Sequence, residues 1–159
     1  MLIRTRVGAK AIVGALALLA AVSVGATEKA QFLNSPRALE LDRPFSEAVR
    51  AGDFLFLSGQ IGEDPATAKL PAGGIEAESK QVLANVKRVL EANGATLSDV
   101  VKCTVFLADI GEWGTFNNVY REVFKKPYPA RSALGANGLA MNARVELECI
   151  AYLPQKKSR

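Results

Sequence analysis

The stretch IEAESKQVLANVKRVLEANGATLSDVVKCTVFL, residues 75–107, decides the fold class. Its first part puts Ile75, Val82, Leu83, Val86, Val89 and Leu90 on one face at a 3.6-residue period. Glu76 and Glu78 come early and Lys87 and Arg88 late, the order that a helix dipole favours. Asn93 and Gly94 then stop the helix, because Gly accepts the left-handed conformation that ends one. Residues 100–107 (VVKCTVFL) are dense in β-branched and aromatic side chains and predict a strand. A helix feeding a strand is the unit of an α+β domain.

The rest of the chain extends that unit. Trp113, Phe116, Tyr120, Val123 and Phe124 share a face of a second helix over 112–125, which Pro127 closes. Strands follow at 131–135 and 144–152, and the last alternates Val145, Leu147, Cys149 and Ala151 against Glu146, Glu148 and Ile150. Upstream, residues 45–49 and 54–58 flank Ala51-Gly52-Asp53, a hairpin signal, and 62–74 read as a Pro/Gly-rich loop. Residues 27–36 read as an extended leader, 37–154 as the domain and 155–159 as a basic tail. The expected architecture is one mixed sheet of about six strands with two helices on one face. Its other face would carry Phe and Leu, and self-association is the expected way to cover it.

Composition narrows the chemistry. A chain of 159 residues allows one domain and a short appendage. It contains no histidine, which excludes Ser-His-Asp and Cys-His catalysis, His-ligated metals and His pH switching. Two cysteines without histidine do not complete a tetrahedral zinc site, so no metal is expected.

The net charge of +4 invites a nucleic-acid reading until it is located. Taking Arg4, Arg6 and Lys10 from the 20 basic residues leaves 17 against 16 acidic ones over 27–159, too even for a nucleic-acid footprint. Those three cations sit in a basic start followed by the apolar run AIVGALALLAAV at 11–22. With Val24 and Ala26 as small −3 and −1 residues, residues 1–26 are a predicted secretion signal, cut after Ala26. The run falls short of the roughly 20 residues a membrane span needs, so contact with the membrane is expected only through the uncleaved signal during export. A periplasmic or secreted product follows. That compartment is oxidising, which makes Cys103 and Cys149 a candidate pair. Both lie in apolar β-like segments, however, and the expectation is two buried thiols packing as small hydrophobes.

Certain strings carry a family resemblance. Tyr128-Pro129-Ala130-Arg131-Ser132, followed by Glu146 within Val145-Glu146-Leu147-Glu148-Cys149-Ile150-Ala151, resembles the signature of the Rid/YjgF reactive-intermediate deaminases. Pro44-Phe45-Ser46-Glu47-Ala48-Val49 and Phe56-Leu57-Ser58-Gly59-Gln60-Ile61 are similar to that family's opening strand and second strand with its turn. Gln81, Asn85, Gly94, Asp99-Val100-Val101-Lys102 and Asn117-Asn118-Val119-Tyr120 also match in order, so the resemblance covers about 33–153. It implies a chorismate-mutase-like α+β fold and a homotrimer with ligand clefts between subunits. The implied activity is hydrolysis of small carboxylate-bearing 2-imino or enamine acids to 2-oxo acids and ammonia without a cofactor, as in a 2-iminobutanoate/2-iminopropanoate deaminase.

Carried over residue by residue, Arg131 becomes the clamp for a substrate carboxylate, which a guanidinium binds bidentately. Glu146 becomes the group that activates water and returns a proton to the departing nitrogen. By pattern alone, Arg131 also fits a surface arginine, and Glu146 a solvent-facing carboxylate or a counter-ion to Arg131. Ser58, at a strand end before Gly59, and Asn117, on the second helix, are the expected polar contacts to substrate. Two positions depart from the family pattern. Phe45 stands where many relatives have Tyr, leaving an apolar wall, and Ala133 stands where deaminase members commonly have Cys. These departures keep open a trimer that binds small carboxylates without turnover. A chaperone-like role is neither favoured nor opposed by any residue. The ribonuclease and translation-inhibitor labels also attached to the family fit an exported, near-neutral chain least well.

Overall fold

The computed structural model describes residues 29–154. The predicted signal and the basic tail lie outside them.

Seven strands form one sheet: β1 (Gln31–Leu33), β2 (Ala48–Ala51), β3 (Phe54–Leu57), β4 (Gln60–Ile61), β5 (Val100–Leu107), β6 (Ala130–Gly135) and β7 (Val145–Tyr152). They run in the order β1-β2-β3-β7-β5-β6, and β4 pairs with β7. Only β5 and β6 are parallel, joined through α3 (Trp113–Val123), so the sheet is mixed. Helix α2 (Gly74–Ala92) lies beside α3 on one face. The α+β architecture with a single mixed sheet is as the sequence predicts.

The core follows from the two periodicities. On the sheet, Leu55, Leu57, Cys103, Val105, Leu107, Val145, Leu147 and Cys149 point to the helices and are buried. From above, Val82, Val86, Val89 and Leu90 of α2 and Phe116, Val119 and Tyr120 of α3 close over them. At the end of α2, Gly94 has φ +75°, and the N–H of Ala95 donates to the Leu90 carbonyl at 2.9 Å, tying off the last turn. Buried Asn85 donates to the carbonyls of Ile61 and Glu63 at 2.9 and 2.8 Å, which pins the chain after β4 against α2.

Several boundaries differ from the sequence reading, each for a local reason. Strand β2 begins at Ala48 rather than at 45, because the Glu47 N–H donates to Asn34 Oδ1 in place of a ladder carbonyl and the Glu47 carboxylate accepts from the Ser35 N–H, while the Glu47 carbonyl still accepts from the Ser58 N–H. A short helix α1 (Pro36–Glu40) follows the leader, N-capped by Ser35 Oγ at 3.2 Å from the Ala38 N–H, with Pro36 opening its first turn. Helix α3 ends at Val123, where Phe124 turns extended to bury its ring.

The two cysteines also depart from expectation. Cys103 and Cys149 are direct partners on the antiparallel β5 and β7 and form a disulfide, with Cα atoms 4.1 Å apart. The pattern correctly read both as buried; what it could not reveal was that the strands place them opposite each other.

Among the described residues, neither α2 nor α3 covers the outer face of the sheet. Phe32, Phe54, Phe56, Leu134 and Tyr152 stand on it, each more than two-fifths exposed.

Candidate functional site

Arg131 lies on the edge strand β6, paired with Cys103 of β5, which in turn faces Cys149 of β7. Directly paired residues point to the same side of a sheet, so Arg131 points to the helix side. There its Cζ lies 4.4 Å from the Trp113 ring centre, 4.3 Å from Tyr120 and 6.0 Å from Phe116, all on α3. Asn117, on the same helix, accepts a hydrogen bond from Arg131 Nη2 at 2.8 Å. Nη1 is buried and has no partner, and among the described residues no carboxylate pairs with the guanidinium. Burial lowers its pKa from the usual arginine value, with Tyr120 opposing and Arg121 adding to that effect, yet an arginine stays charged. The Tyr120 hydroxyl, likewise buried and unpartnered, is pushed up to about 12 by burial and so remains an O–H donor. These groups line a cleft of about 680 Å³ that Ala133 also borders.

Glu146 sits elsewhere. It pairs with Phe106 of β5 and Ile61 of β4, which puts it on the register opposite to the buried Val145 and Leu147. Its carboxyl group lies against Gly59, so closely that a Cβ on that glycine would stand 2.9 Å from Glu146 Cδ and nearer still to Oε1. Burial first, and the neighbouring Glu148 charge second, raise the Glu146 pKa above the ordinary carboxylate value. A separate cleft of about 440 Å³ surrounds it, with Phe45, Ile61 and Met141 as apolar walls. Arg43 reaches over the Phe45 ring at 6.0 Å and pairs with Glu63.

The structure therefore divides the predicted site in two. Arg131, Asn117 and Ala133 share one cleft, while Glu146 and Phe45 share the other. Because Arg131 and Glu146 occupy opposite faces of one sheet, Glu146 is no counter-ion to Arg131 within a chain. Ser58 lines neither cleft; its hydroxyl donates to the Ser46 carbonyl at 2.6 Å and braces the strand end. Asn117 holds Arg131 through its carbonyl oxygen. Three participants were given no role in the site by the sequence: Trp113, read as part of a core face, Tyr120, read as a core residue within a family-matching string, and Gly59, read as the turn residue after Ser58. Their spacing at i and i+7 on a helix behind an arginine-bearing strand was the available signal for the first two.

One chain thus carries two separate clefts, one holding a partly buried arginine on the helix side of the α+β sheet and the other a partly buried carboxylate on the opposite side. The family model described as Endoribonuclease L-PSP matches residues 35–153. A RutC family protein of Pyrococcus horikoshii is 42% identical over 119 residues, covering 75% of this chain and 92% of that one. The 2-iminobutanoate/2-iminopropanoate deaminase of Bos taurus is 44% identical over 108 residues, 68% of this chain and 79% of that one. The solved structure of RidA from an Antarctic Psychrobacter has a TM-score of 0.68 at 35% identity and covers 77% of this chain and 94% of that one. The chain belongs to the Rid/YjgF family, the family that this model describes.

Proposed function

We propose that this protein hydrolyses 2-imino acids and their enamine tautomers to 2-oxo acids and ammonia, at a site completed between neighbouring copies in a homotrimer. The observation that carries the reading is the Arg131 guanidinium, held over aromatic rings with Nη1 buried, unpartnered and free of any described carboxylate. A desolvated cation with an unused donor is a receptor for a carboxylate. Relatives named as imine deaminases at 40–44% identity support the choice of reaction.

The chemistry balances with water alone. Arg131 holds the carboxylate of R–C(=NH2⁺)–COO⁻ and so orients C2 for attack. Water oxygen bonds to C2 as Glu146 takes its proton, giving a carbinolamine. The proton passes from Glu146 to nitrogen, the C–N bond breaks with its electron pair leaving on ammonia, and the hydroxyl proton transfers to that ammonia as the C2 carbonyl forms, so a 2-oxo acid and ammonium remain. A carboxyl with a raised pKa suits this relay, since it binds and releases a proton closer to neutral pH. An enamine enters the same route once a proton on carbon converts it to the imine.

Association supports the union of the halves. The outer sheet face exposes Phe54, Phe56, Leu134 and Tyr152, an apolar surface that stacking between subunits would cover, and the proposal has the Arg131 edge of one copy meet the Glu146 face of the next. The same proposal has the chain exported. Its support is the basic and then apolar leader, together with the Cys103–Cys149 bridge, which suits an oxidising compartment. Mass spectrometry of the exported protein is expected to find a chain starting at Thr27, and a full-length chain confined to the cytoplasm refutes that part.

The test of activity is release of ammonia and 2-oxo acid from imino acids made in situ by an amino-acid oxidase, read against spontaneous hydrolysis. Wild type is expected to exceed that baseline and Arg131→Ala to fall back to it. No excess for wild type across several side-chain sizes overturns the hydrolase reading and leaves a carboxylate-binding protein.

A further inference from the structure

The aromatic rings around Arg131 do more than fill the core. Trp113 and Tyr120 are seven residues apart on α3, two turns along one face, and the guanidinium sits within 4.4 and 4.3 Å of their ring centres. A charged head placed there loses hydration, which is the first cause of its lowered pKa. Plain core packing would have used the aliphatic stem and left the head in water, the usual habit of long basic side chains. Here the head itself is inserted, and the negative ring faces offset part of the lost hydration. Asn117 then settles rotation in the plane by accepting from Nη2, while Nη1 and the Tyr120 hydroxyl stay as donors with no partner among the described residues.

We infer that Trp113 and Tyr120 form a slot that orients Arg131 in advance for a carboxylate, with Trp113 as the residue that sets affinity. Both are positioning residues: they act on the ligand through Arg131. An arginine free in solvent would give up rotamer freedom each time a carboxylate bound, and the slot removes that loss before binding. The inference rests on Arg131 being the carboxylate receptor of the proposed function, but it is independent of turnover. It also supplies a reporter, since Trp113 is the only tryptophan of the sequence.

The test uses the intact protein and 2-oxobutanoate, a product-like carboxylate that does not react, with Kd measured calorimetrically. Trp113→Leu keeps an apolar side chain without a π face and is expected to raise Kd about tenfold. Trp113→Phe restores a face and is expected to recover most of the loss, which a requirement for bulk alone would not show. With an imino substrate, KM of Trp113→Leu rises while kcat moves little. In wild type, 2-oxobutanoate changes the Trp113 emission, and in Arg131→Gln it does not. A wild-type Kd for a folded Trp113→Leu overturns the slot. Should that variant fail to fold, emission of the intact protein that ignores saturating 2-oxobutanoate overturns it instead. Trp113-dependent binding without any ammonia release sinks the hydrolase and keeps the slot; turnover with normal binding in Trp113→Leu does the reverse.

Discussion

Gly59 gives the sharpest handle on Glu146, because one methyl group separates activity from folding. In Gly59→Ala the new Cβ would stand 2.9 Å from Glu146 Cδ, against about 3.4 Å for ordinary contact, so the carboxyl carbon must recede by at least 0.5 Å (3.4 − 2.9) and Oε1 by more. The obstructing atoms are the far end of a flexible side chain, which swings away at small cost. Gly59 is also absent from the positive-φ residues, so alanine fits its backbone. Stability is therefore expected to change by less than about 1 kcal/mol, part of the contact strain being offset by the stiffer unfolded chain. Catalysis is less forgiving, since a misplacement of about 1 Å costs on the order of 10²-fold. The expected result is kcat/KM for imino-acid hydrolysis lowered about 10- to 100-fold, with Tm within a few degrees of wild type. A folded Gly59→Ala enzyme with undiminished kcat/KM would show that the carboxylate against Gly59 takes no part in the reaction.

Three further outcomes follow from charge, cross-link and surface. Because the Glu146 pKa is raised on folding, the native state binds its proton more tightly than the unfolded chain; the ionised group weighs against folding above its folded pKa, and that burden lifts as pH falls toward 4.5. Glu146→Gln is thus expected to abolish hydrolysis yet raise Tm at pH 7, whereas a lower Tm there contradicts the argument; wild-type activity should fall as pH drops through the same raised pKa. The disulfide closes a separation of 46 residues, for which chain entropy gives about 4 kcal/mol, so full reduction is expected to lower Tm by about 10 °C or more; an unchanged melt with both thiols titrated would refute this. Phe56→Asp places a charge on the apolar sheet face and is expected to give monomers by sedimentation with loss of turnover, while a persisting trimer would show that this face is not the interface.

Much of the fold was legible because its signals are local. Helix α2 announces itself through Val82, Val86, Val89 and Leu90 and ends at Gly94; β7 does so through strict alternation, which the burial of Val145, Leu147, Cys149 and Ala151 repeats. Both patterns are imposed by a single interface, and a residue's period records which side it faces. Where short polar contacts compete with the ladder, the pattern misleads. The Glu47 N–H is taken up by the Asn34 side chain in place of a ladder carbonyl, and α1 rests on a cap at Ser35 within a segment with no apolar period.

The site divides along the same line. Candidates for the chemistry could be named from the sequence, because Arg131 and Glu146 sit in recognisable strings and a chain without histidine has no Ser-His-Asp or Cys-His machinery to compete with them. How they relate could not, since register across strands is set by pairing partners distant in the chain. Only the tertiary structure puts Cys103 opposite Cys149, sets Arg131 between Trp113 and Tyr120, and turns Glu146 to the far face. A one-residue step along a strand reverses the face a side chain meets, and that step is decided by the packing of the whole sheet.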